Sequence, residues 1–199
     1  MREQVISWLK DNVSHHRLQH ILGVEQLCTE LAYCHNINPQ KVAQAGLMHD
    51  LAKFFPPPKL LEMASQEIPE IDPIRQTNPH LLHADVSAIV ARDTFGVEDE
   101  EILNAIRDHT LGSPEMSDLS CIVFVADALE PNRGNTPELE AMRQVSRQNL
   151  YKSVQQTCEY SLKYLIQTHR TIHPRVIDTR NWALSFNKRE KLSLKNQDT

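Results

Sequence analysis

Apolar residues recur along this chain at intervals of three and four, the period of helices with one buried face. Val5, Ile6, Leu9 and Val13 predict a short helix over residues 3–12. Leu18, Ile21, Leu22, Leu27, Cys28, Leu31 and Ala32 predict a longer one over 16–35, with Arg17, His20 and Val24 on one face. Asn38-Pro39 joins an N-cap to a proline at the first helical position, so a third helix is expected through Val42, Leu47 and Leu51 until Pro56-Pro57-Pro58 stops it. A short helix over 59–66 and a connecting loop from Ile68 to Thr77 follow. Asn78-Pro79 repeats the cap signal, and the helix through Leu82, Val86, Ile89, Val90 and Phe95 is expected to end at Gly96 in a left-handed cap.

The second half continues the pattern. Acids at 98–101 suit the amino end of a helix over 97–109, whose core face is Ile102, Leu103 and Ile106. The most apolar run, Leu119 to Ala126, has the composition of a buried strand or a buried helix. Ser117 as a cap and the continuation through Leu129 favour a central helix with Asp127 near its end. Pro131 to Asn135 reads as a turn, Thr136-Pro137 caps a helix through Met142, and residues 149–169 form a long helix with Tyr151, Val154, Cys158, Leu162, Leu165 and Ile166 on its core face. Tyr160 and Tyr164 are read as packing or surface residues. With no βαβ pattern, no repeats and no Gly-rich phosphate loop, the expected fold is all-α, one compact helical bundle over residues 1–187, followed by a mobile Lys-rich tail over 188–199.

Composition narrows the class of partner. At 199 residues the chain is long enough to bury a full core in one domain, and its net charge of −5 argues against a nucleic-acid surface. No apolar run approaches the ~20 residues of a membrane span. Cys28, Cys34, Cys121 and Cys158 form no CxxC pair and are expected to be reduced packing residues, which with the absence of a signal-like amino terminus points to the cytoplasm.

The candidate chemistry centres on Ala45-Gly46-Leu47-Met48-His49-Asp50-Leu51-Ala52-Lys53, where an imidazole and a carboxylate lie in an apolar segment. A buried carboxylate must be paired or bound to a cation, because alone it costs several kcal/mol or more. Imidazole nitrogen and carboxylate oxygen suit zinc, iron or manganese, but two ligands do not close a site. His20, His83, His109 and Asp127 supply further donors, in the order H, HD, H, H, D.

That order resembles the HD-domain metal-dependent phosphohydrolases. The words around it, His16-Arg17-x-x-His20-x-x-Gly23-Val24, His49-Asp50-Leu51-Ala52-Lys53, Leu81-Leu82-His83, Asp108-His109-Thr110 and Asp127-Ala128-Leu129-Glu130-Pro131-x-Arg133, resemble the YqeK family over roughly residues 10 to 185. The resemblance implies symmetrical hydrolysis of diadenosine tetraphosphate to two ADP. On this reading His20, His49, Asp50 and Asp127 hold a divalent metal, with a metal-binding core at about 16–133, and Asp50, His83 and His109 carry the reaction. Arg17, Lys53, Thr110 and Arg133 contact the substrate with these groups, Lys53 and Arg133 as cationic clamps; His83 and His109 either complete a second metal site or hydrogen-bond the polyphosphate. The family's terminal segment approaches the nucleotide, which implicates Arg180 and Asn181. The resemblance implies iron, while ligand type equally admits manganese or zinc. The expected partner is a small dinucleoside polyphosphate, with a homodimer left open. Alternatives are an HD hydrolase of another nucleotide, a non-catalytic nucleotide sensor, or a helical scaffold with structural histidines.

Overall fold

The structure is a computed structural model that describes the backbone of residues 1–195 and side chains through Arg189. Among the described residues it holds eleven α-helices and no strand. They run α1 (Arg2–Asn12), α2 (His15–Cys34), α3 (Pro39–Met48), α4 (Pro57–Ser65), α5 (Pro73–Thr77), α6 (His83–Phe95), α7 (Glu100–Asp108), α8 (Asp118–Leu129), α9 (Pro137–Gln148), α10 (Leu150–Gln167) and α11 (Pro174–Lys195). No described helix is long and apolar enough to cross a membrane.

The core forms around α8. Every residue from Leu119 through Ala126 is buried. A helix apolar on all sides is stable only when covered on all sides, and α2, α3, α7, α9 and α10 supply the cover. Its start is fixed by Ser117, whose Oγ accepts the Ser120 N–H at 3.1 Å. Asn38, Asp99, Thr136 and Asn149 cap α3, α7, α9 and α10 in the same way. Gly96 closes α6 in the left-handed region at φ 69°.

Several expectations need correction. The third helix stops at Met48, short of the prolines, and the chain from His49 to Phe55 turns tightly through bonds such as Lys53 N–H to Asp50 O at 3.1 Å. The loop expected at 68–77 contains α5, capped by Asp72, whose Oδ1 accepts the N–H groups of Ile74 and Arg75 at 3.0 Å each. Asn78 does not cap the helix after it. Its Nδ2 donates back to Ile74 O at 3.0 Å and closes α5, while Pro79–Leu82 forms a 3-10 turn before α6 opens at His83. Cys34 is exposed, so it is not a packing residue, although all four cysteines are free as expected. The boundary expected at residue 187 falls inside α11, and residues 196–199 of the expected tail lie outside the described residues.

Candidate metal centre

Four imidazoles and two carboxylates meet where α2, the α3 carboxyl end, the 3-10 turn before α6, the α7 carboxyl end and the end of α8 converge. His20, His49, Asp50, His83 and His109 are each at most 3% exposed, and the Asp127 side chain is 23% exposed. Asp50 stands between two histidine pairs. Its Oδ1 lies 3.2 Å from His83 Nε2 and 3.7 Å from His109 Nε2; its Oδ2 lies 3.5 Å from His49 Nε2 and 3.9 Å from His20 Nε2. Asp127 Oδ1 approaches His20 Nε2 at 3.0 Å and His49 Nε2 at 3.7 Å.

The other ring nitrogens define the tautomers. His49 Nδ1 faces Gly46 O at 2.7 Å, His83 Nδ1 faces His80 O at 2.6 Å and His109 Nδ1 faces Ile106 O at 2.8 Å. A carbonyl only accepts, so each Nδ1 carries the proton and each Nε2 presents a lone pair. These three residues sit just past helical runs, where carbonyls of the last turn lack helical partners. His49 and His109 also follow the negative dipole ends of α3 and α7, which favour a cation.

The donor set fits a divalent metal. The Nε2 lone pairs of His83 and His109 face each other at 3.0 Å beside Asp50 Oδ1, a cluster of acceptors that draws in Lys53 Nζ at 3.1 Å and Thr110 Oγ1 at 3.0–3.1 Å and suits a cation. The buried Nε2 atoms of His20 and His49 make no hydrogen bond. Mutual distances allow His20, His49 and Asp50, or Asp50, His83 and His109, to share one ion. Nitrogen and carboxylate donors without thiolate suit iron, manganese or zinc.

Electrostatics follow from burial and these contacts. Burial pushes the Asp50 carboxyl up, but the neighbouring His49, His109 and His83 rings outweigh it and hold Asp50 well below the usual carboxylate range. Burial lowers His83 to about 4, with the Lys53 charge adding to the effect and Asp50 opposing it, so its ring is neutral at pH 7.

Cations rim the centre. Arg17 Nη1 donates to Asp50 Oδ2 at 2.7 Å, Arg133 Nη2 to Asp127 Oδ1 at 2.7 Å, and Lys53 Nζ to His83 Nε2 at 3.1 Å. Thr110 Oγ1 lies 3.1 Å from His83 Nε2 and opens onto a cavity of about 490 Å³, whose walls include His80, Phe124, Tyr160, Tyr164, Arg170 and His173. That volume lies within the usual range of small-molecule sites, about 300–1,000 Å³.

The structure thus gathers Arg17, His20, His49, Asp50, Lys53, His83, His109, Thr110, Asp127 and Arg133. Arg180 and Asn181 do not line the cavity: the Arg180 guanidinium is held by Glu159 on α10 at 2.7 and 3.0 Å. Tyr160 and Tyr164, read from sequence as packing or surface residues, line it. Their i, i+4 spacing on the side of α10 away from the stripe read from sequence is the signal that could have marked them. Ser87, whose Oγ accepts the Ala52 N–H at 2.9 Å and braces the turn after Asp50, carries no sequence signal.

Comparison with known proteins agrees with this geometry. The HD domain family profile matches residues 17–132. A symmetrical bis(5'-nucleosyl)-tetraphosphatase of Bacillus subtilis is 32% identical, over 92% of this chain and 98% of the relative. One of the same name from Staphylococcus aureus is 28% identical, over 87% and 89%. The crystal structure of a predicted HD superfamily hydrolase involved in NAD metabolism from Clostridium acetobutylicum superposes with a TM-score of 0.88 at 32% identity, covering 93% of this chain and 97% of that one. With its His and Asp cluster assembled on this fold, the chain belongs to the HD-domain family and, within it, to the family of the symmetrical bis(5'-nucleosyl)-tetraphosphatases.

Proposed function

We propose that this chain hydrolyses diadenosine tetraphosphate symmetrically to two ADP in a divalent-metal-dependent reaction, with iron as the native metal. The observation that carries the reading is the convergence of His20, His49, His83 and His109 Nε2 on Asp50, beside a cavity of nucleoside size that shares Thr110 with the centre. His20, His49, Asp50 and Asp127 would hold the metal. When bound, it supplies Lewis acidity toward phosphate oxygens and the attacking water.

The chain's own groups do the rest. Asp50 Oδ1, His83 Nε2 and His109 Nε2 form an acceptor cluster that orients a water, and His109 Nε2 takes its proton as it attacks phosphorus. Arg17, Lys53 and Arg133 offset the charge that develops on the phosphoryl oxygens. Thr110 stands at the cavity mouth, where its hydroxyl reaches a phosphate. Tyr160 and Tyr164 offer ring faces to the adenosine of the held half, and Arg170 lies 5.6 Å from the Tyr164 ring centroid. Gripping one ADP half this way leaves the bond between the two central phosphates at the acceptor cluster, so the leaving group is the second ADP.

Purified protein loaded with iron or manganese should release ADP from diadenosine tetraphosphate, with slower turnover of deoxynucleoside monophosphates and guanosine tetraphosphate. Preference for either of those would overturn the substrate assignment; no turnover of any would overturn the enzyme assignment.

A further inference from the structure

Glu130 is a buried carboxylate that the reaction above does not use. It is 1% exposed, and among the described residues no Lys or Arg side chain pairs with it; its ionisable contact is His20. Its Oε1 lies 3.0 Å from His20 Nδ1, while its Oε2 accepts from Asn132 N at 2.7 Å and from Asn132 Nδ2 at 2.9 Å. The turn that carries it is pinned by Arg143, which donates to Leu129 O at 2.7 Å, Glu130 O at 3.2 Å and Gly134 O at 2.7 Å. Space for the carboxylate exists because residue 23, one turn along α2 from His20, is glycine: a Cβ there would sit 2.4 Å from Glu130 Oε2.

The need for this device follows from where His20 sits. The other three histidines lie just past helical runs and each donates Nδ1–H to a nearby backbone carbonyl. His20 lies inside α2, whose carbonyls are spent on the helical ladder, so a backbone acceptor is not offered to it. Nothing local then fixes which nitrogen carries the proton. Glu130 takes that place from 110 residues away in sequence, and the opposite nitrogen is left facing Asp127 Oδ1 at 3.0 Å.

We propose that Glu130 is a positioning residue that fixes His20 as the Nδ1–H tautomer, so that its Nε2 lone pair is delivered to the cation, with Gly23 providing the room. The proposal rests on the metal reading above. It assigns Glu130 no contact with substrate. A carboxylate behind a metal-bound imidazole orients the ring and raises its basicity, and loss of such a partner costs about 10–100-fold in metal affinity.

Glu130→Gln separates charge and tautomer from shape. The Asn132 donors require the amide oxygen, which turns the Gln NH2 toward His20 Nδ1 and makes that nitrogen an acceptor; the proton moves to Nε2. Nitrogen-15 NMR of the metal-free protein in mildly alkaline buffer, with His20 assigned from a His20→Gln spectrum, should report Nδ1–H in the unsubstituted protein and Nε2–H in the variant. Calorimetric titration with Mn²⁺ should show affinity lower by about 10–100-fold, with an unchanged circular dichroism spectrum. A folded variant that keeps Nδ1–H and binds Mn²⁺ as tightly as the unsubstituted protein overturns the proposal. If Glu130→Gln does not fold, Gly23→Ala decides: its methyl displaces Oε2, and it must also weaken Mn²⁺ binding for the proposal to stand. If the unsubstituted protein binds no Mn²⁺ yet shows the tautomer switch, the metal reading fails and the role of Glu130 in fixing the tautomer holds.

Discussion

The two oxygens of Asp50 serve different neighbours, Oδ1 facing His83 and His109 while Oδ2 faces His20, His49 and Arg17. Ligand and clamp therefore separate by mutation. Asp50→Ala should abolish both bound metal and turnover, whereas Arg133→Ala should keep the metal and lower kcat/KM by about 10–100-fold, the worth of one charge-assisted hydrogen bond. Metal content by mass spectrometry checks the pair, and equal retention by both would show Asp50 misassigned. The residues gathered here were named from sequence because imidazoles and acids recur in the ordered set H, HD, H, H, D; any one of these histidines alone would more often be a packing residue. Glu130 was visible only as a letter in a motif. Its partner is remote in sequence, and a buried carboxylate that touches a ring rather than a cation leaves no local signature. Arg180, carried over by resemblance, stands off the cavity and pairs with Glu159 on α10.

At the scale of elements, helix ends matter more here than helix bodies. Cap-and-proline pairs located α3 and α9, yet the same signal at Asp72-Pro73 lay in a stretch too short for apolar periodicity to register. Burial pushes the Asp72 carboxyl up, but hydrogen bonds from the Arg75 backbone and side chain and from His173 outweigh it and hold the group far below its ordinary range. A depressed carboxylate stabilises the fold above its unfolded pKa of about 4 and loses that contribution as pH falls below it. Asp72→Ala should therefore cost about 1 kcal/mol at pH 7, as loss of an N-cap does. The difference from the unsubstituted protein should shrink between about pH 5 and pH 2; urea melts across that range check it, and a pH-independent difference would contradict the ionic part. The early end of α3 escaped prediction because three prolines offered a stronger stop than the sequence shows at Met48. On α10, Tyr160→Ala should raise KM for the dinucleotide by about 5–150-fold, the equivalent of the about 1–3 kcal/mol lost with one stacked base. Its metal content should not change.

For the whole molecule, an acidic chain of net charge −5 gathers Arg17, Lys53 and Arg133 around a carboxylate-lined centre, with Arg170 on the wall of the adjacent cavity. That arrangement selects a polyanion that brings its own countercharge to a metal rather than a nucleic-acid surface. The all-α fold followed from periodicity and the lack of any βαβ signal, but the packing of α10 and α11 beside the centre did not, since no pattern in one helix specifies its neighbour. Chelation should stop turnover and added iron or manganese restore it; full activity in exhaustively metal-free protein would exclude the mechanism. The central claim is symmetrical cleavage, and hydrolysis of diadenosine tetraphosphate in heavy-oxygen water tests it most directly. Mass spectrometry of the initial products should find ADP alone, with one labelled oxygen on the terminal phosphate of one ADP per substrate molecule and none in the other. ATP and AMP as the initial products would contradict it.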